Sequence, residues 1–84
     1  MSIARARRPG HIEPRFLNAG RRRSALRLEP AFWRALEDIA GERRLSIEEL
    51  LRDIAPPRRG RFVAEDVRTA VLAHYWRPGE AELD

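Results

Sequence analysis

Hydrophobic and polar positions alternate from Arg23 to Leu28, with Ser24, Leu26 and Leu28 on one side and Arg23, Ala25 and Arg27 on the other. A strand sends successive side chains to opposite faces, so this pattern predicts one buried face and one exposed cationic face. The period then changes. Glu29-Pro30 opens a helix, because proline at the first helical position gives up no hydrogen bond. Phe32, Trp33, Leu36, Ile39 and Ala40 recur at helical spacing from there to about Arg43, with Gly41 a weak place near the end. A second helix begins after Ser46, whose hydroxyl can cap the first turn while Glu49, three residues on, completes a capping box. Its buried face is Ile47, Leu50, Leu51 and Ile54, and Pro56-Pro57 ends it. Arg58 to Arg61 form a basic loop around Gly60. A third helix runs from about Ala64 to Trp76, with Val63, Val67, Ala70, Val71, His74 and Tyr75 as its apolar stripe and Trp76 off it; Pro78-Gly79 stops it.

The remaining segments carry no comparable period. Residues 1–20 contain Pro9, Gly10, Pro14 and Gly20 among scattered charges, a composition that predicts a flexible basic arm, with Phe16 and Leu17 either docked on a surface or exposed. Residues 21–77 form the folded domain, and 78–84 an acidic tail. The predicted strand therefore stands alone in its chain. An isolated strand leaves its backbone donors and acceptors unpaired, and the economical partner is the same strand of a second copy, antiparallel across a twofold axis. The expected fold is mostly α, with one strand per chain paired in a homodimer. Leu26, Leu28, Leu36, Ile39 and Leu50 would form the dimer core.

Charge sharpens this picture. Residues 1–28 hold eight arginines against the single acid Glu13, a net +7, whereas residues 29–84 carry a net −3. The cationic surface is thus the amino-terminal portion, as in chains that bind nucleic acid. A two-stranded ribbon fits the major groove, roughly 12 Å wide, where arginine can donate two bonds to guanine and a methyl such as that of Ala25 can touch thymine. That makes Arg23, Ala25 and Arg27 the candidate base contacts, and Arg21 and Arg22 candidate phosphate contacts.

Composition excludes several other classes. Cysteine is absent, and His11 and His74 stand apart without ligand spacing, so no disulfide, metal site or cofactor is indicated. No histidine has a nucleophile or acid at meaningful spacing, so an enzyme is the least supported class. With 36% charged residues and no long apolar run, a membrane span is not expected, and cytoplasm is the expected location.

The order of strand, helix and Ser-capped helix, with an alternating basic strand, resembles the ribbon-helix-helix DNA-binding proteins over Arg22 to about Ile54. LEPAFWRAL and VLAHYWR are more narrowly similar to a bacterial group carrying a third helix. The resemblance implies base reading by Arg23, Ala25 and Arg27, and a phosphate held by backbone amides near Ser46 and Ile47, where Glu48 and Glu49 suit the helix dipole but repel phosphate. It implies a dimeric, sequence-specific DNA-binding regulator. Alternatives are an antitoxin-like adaptor with a protein partner at the third helix, or a nonspecific nucleic-acid-binding protein.

Overall fold

The computed structural model describes residues 11–76. Five elements follow in order: β1 (Glu13–Ala19), β2 (Arg22–Leu28), α1 (Pro30–Arg43), α2 (Ile47–Ile54) and α3 (Ala64–Tyr75).

The strand is not alone, which corrects the expectation of one strand per chain. β1 pairs with β2 as an antiparallel hairpin, Phe16 opposite Ala25 and Ala19 opposite Arg22. Gly20 and Arg21 make the turn, with φ +77° at Gly20 and no positive φ at Arg21, the pattern of a two-residue type II′ turn. Counting from that turn, Pro14, Phe16 and Asn18 fall at positions whose backbone groups face away from β2. Pro14 therefore removes no ladder hydrogen bond, and a strand can run through it. Part of the stretch expected as a flexible arm is thus an ordered strand, in which Leu17 is buried and Phe16 is 59% exposed. Residues 1–10 of that arm and the expected acidic tail lie outside the described residues.

The helices match the periodicity closely. Pro30 stands in the first turn of α1, and Arg44, at φ 60°, caps its end. Helix α1 buries Trp33, Leu36, Ile39 and Ala40, leaving Phe32 half-buried. In α2 the capping box is complete, with the Ser46 hydroxyl accepting from the Glu49 amide at 3.0 Å and the Glu49 carboxylate accepting from the Ser46 amide at 2.9 Å. Helix α3 differs in its last turn: Val67 and Val71 are buried, but Tyr75 is 56% exposed and so leaves the apolar stripe, joining Leu72 at 59% and Trp76 at 63%.

The core lies between the hairpin's inner face and the three helices. Helix α2 packs on β1 and α3 on β2, while α1 touches both other helices. Leu26, Leu28, Leu36, Ile39 and Leu50, expected to form a shared dimer core, are buried here by elements of one chain. No partner is needed to shield them. Trp33 locks the far end of the hairpin. Its indole N–H donates to the Glu13 carbonyl at 2.7 Å, and the Arg15 guanidinium sits 4.5 Å above its ring while bonding Glu37 at 2.9 Å.

Candidate nucleic-acid interface

Cross-strand partners share a face, so the hairpin's outer surface carries Pro14, Phe16 and Asn18 from β1 beside Arg27, Ala25 and Arg23 from β2. All six are exposed, two are cationic and none is acidic. Strand alternation therefore puts Arg23, Ala25 and Arg27 on the free face, as the sequence predicts, and adds Pro14, Phe16 and Asn18, which the sequence did not place on that face. The available signal was the two-residue gap at Gly20-Arg21 between two alternating runs, masked by Pro14 and by the absence of β-branched residues in β1. Arg23 leans toward Phe16, its guanidinium carbon 5.8 Å from the ring centroid. That approach restrains a long side chain on an otherwise open surface.

The two edges of the hairpin differ. At β1 the outward-facing backbone of Asn18 is taken up by α2: its N–H donates to Glu48 at 2.9 Å and its carbonyl accepts from Arg52 at 3.4 Å. Pro14 further along offers no donor. At β2 the same positions are Arg23, Ala25 and Arg27, whose outward backbone groups have no partner among the described residues. Thus β1's edge is blunted and β2's is open.

Around the start of α2, Ser46 has both its hydroxyl and its amide engaged in the capping box, while Ile47, as first helical residue, belongs to the unbonded first turn. Glu48 and Glu49 keep two carboxylates at that end. Arg21 and Arg22, at the turn end of the hairpin, are exposed. A shallow groove elsewhere is lined by Glu13, Arg15, Pro30, Trp33, Arg34 and Glu37; its two carboxylates face two arginines, and Arg15 pairs with Glu37 at 2.9 Å and Glu13 at 3.6 Å, so its charges largely neutralise one another. Where β2 meets α1, the Glu29 carboxylate accepts from Arg68 Nε at 3.0 Å. That bond, helped by Glu29's own backbone N–H and the charge of Arg68, holds its carboxyl below the usual range.

Among the described residues no group of side chains is arranged to hold a metal ion, and no helix is long and apolar enough to cross a membrane.

An exposed basic strand face, followed by a capped two-helix unit, defines a small DNA-binding class. The chain belongs to the ribbon-helix-helix domain family, whose sequence model matches residues 14–75. Members of that family are in general DNA-binding transcription regulators or antitoxins and typically not enzymes. No curated protein and no solved structure matches the chain.

Proposed function

We propose that this protein is a sequence-specific DNA-binding regulator that acts as a homodimer and reads the major groove with its ribbon. The observation that carries the reading is the hairpin's outer face, where Arg23, Ala25 and Arg27 stand exposed, acid-free and in line on a strand whose other side is fixed in the core. Arginine there has the geometry to donate to guanine O6 and N7, and Ala25 offers a methyl contact to thymine. The open edge of β2 supports the dimer. Antiparallel pairing of β2 with the same strand of a second copy extends the sheet to four strands, with the two β2 strands in the middle. Those two strands fit a groove of roughly 12 Å, and the four arginines of both copies then face the bases. Cytoplasm is the compartment such a regulator works in.

Selection of bound sequences from a random duplex pool tests the reading. The expected result is a partly palindromic motif retained at near-physiological salt. Recovery of no motif, with binding lost at modest salt, rejects sequence reading and leaves only charge attraction.

A second reading, an adaptor or antitoxin-like role, is favoured by one observation. Leu72, Tyr75 and Trp76 leave an apolar patch exposed at the end of α3, as at many protein interaction sites. Copurification of a small protein partner that is lost in Trp76→Ala supports this role; a chain that purifies alone while still selecting a DNA motif speaks against it.

A further inference from the structure

Residues 58–61 are not an open loop. Arg58 and Arg61 exchange both backbone hydrogen bonds, at 2.8 and 3.0 Å, across a two-residue turn in which Arg59 and Gly60 have φ of 52° and 79°. Positive φ at both central positions is the pattern of a type I′ turn, one that favours Asn or Gly over a long side chain at the first position. Arg59 occupies the left-handed region all the same. The turn is held down as well as closed, since Arg58 makes a two-pronged ion pair with Asp66 in the first turn of α3, at 2.8 and 2.9 Å.

This turn adjoins the hairpin. A side chain added at Gly60 would come within 3.2 Å of Arg22 Cδ, so the stem of Arg22 lies directly over the glycine. Arg21 and Arg22 at the hairpin turn and Arg59 and Arg61 at this second turn are all exposed. None of the four lies within ion-pair distance of a carboxylate among the described residues. Arg58 alone is neutralised, and its pairing fixes the turn that presents the other two.

We propose that Arg59 and Arg61, with Arg21 and Arg22, form a second phosphate-binding surface that grips the DNA backbone beside the ribbon. The proposal rests on the DNA-binding reading above and deepens it. It also relocates part of the phosphate grip: the start of α2 carries Glu48 and Glu49, whereas this surface carries four cations unpaired among the described residues, and its acid, Asp66, is bound by Arg58. A rigid turn presents its charges without first having to be ordered, and arginine suits phosphate through its fork of donors.

The test compares the full chain with Arg59→Gly, Arg61→Gln and the double variant, and with Arg34→Gln as a charge control on the exposed face of α1. Each is titrated with its selected duplex and with random duplex across salt. Glycine accepts the left-handed conformation, so Arg59→Gly is expected to melt no lower than the parent. In a dimer each single variant removes two phosphate contacts, so the slope of log affinity against log salt should flatten by about 1.8, or about 3.6 for the double variant, and a single variant should weaken binding on the order of 25-fold to 100-fold at 0.1 M salt. Both duplexes should be affected alike and the selected motif left unchanged. A slope that matches the parent's, or one reduced equally by Arg34→Gln, overturns the proposal while leaving sequence reading intact. A flattened slope in a protein that selects no motif upholds the phosphate surface and rejects sequence reading. A parent chain that binds no duplex overturns both.

Discussion

Single residues decide how rigidly the ribbon is held. Trp33 is buried against the hairpin, and its N–H bond to the Glu13 carbonyl ties the open end of β1 to α1. Trp33→Phe keeps an aromatic ring but removes that donor and part of the buried volume. We expect a stability loss of about 1 to 3 kcal/mol, with faster amide exchange at Glu13, Arg15 and Leu17, whose backbone groups face β2; an unchanged exchange pattern would show that the bond does not fasten the strand. Glu29 makes a second tie. Because Arg68 lowers its folded-state pKa, the pair contributes stability above the ordinary carboxylate range, and that contribution is lost as pH falls through the folded value. NMR titration should find Glu29 below a typical glutamate, and Arg68→Gln should move it back up. A Glu29 titration identical in the two proteins would remove Arg68 as the cause.

At the scale of elements, the hairpin is where sequence and structure part. Helices α1, α2 and α3 and strand β2 are legible because each has a clear period and a start or stop signal: Pro30, the Ser46–Glu49 box, Pro56-Pro57 and the alternation through Leu28. Strand β1 was hidden by Pro14, which reads as a breaker until its register shows that its missing N–H faces outward. The tie between Glu48 and Asn18 joins residues far apart in the chain and leaves no local pattern, so half of the hairpin's outer face and the blunting of β1's edge were out of reach. The cationic half of the face was legible, because strand alternation alone puts Arg23, Ala25 and Arg27 together. The hairpin also yields a test of assembly. The Ala25 N–H points to the open edge, so Ala25→Pro spares the bonds to β1 yet blocks pairing of β2 with a second copy. Sedimentation should report a folded monomer for Ala25→Pro and a dimer for the parent; a dimer in both would place the subunit interface away from this edge.

For the whole molecule, the arrangement separates stability from recognition. One chain buries its own core, so no subunit interface is required to shield Leu26, Leu28 or Leu50. Replacing Leu26 by Asp would therefore unfold a monomer as readily as a dimer, and does not report on assembly. The surface left for partners is divided: the arginine-bearing outer face of the hairpin and, against Arg22 of its other face, the Arg59 turn on one part, and the apolar end of α3 with Leu72, Tyr75 and Trp76 on another. On the proposed reading the first meets DNA, a second copy of the chain meets the open β2 edge, and another protein partner would meet the apolar end of α3.

The central claim is that the hairpin's outer face reads bases. Its most direct measurement is the sequence preference of Arg23→Ala/Arg27→Ala beside that of the parent chain, with affinities on the parent's selected site and on random duplex. Each arginine that reads a base should cost about 1 to 3 kcal/mol on the selected site, so the double variant should lose the motif while its binding to random duplex falls far less. Retention of the parent's motif by the double variant, or equal losses on both duplexes, would contradict base reading by this face.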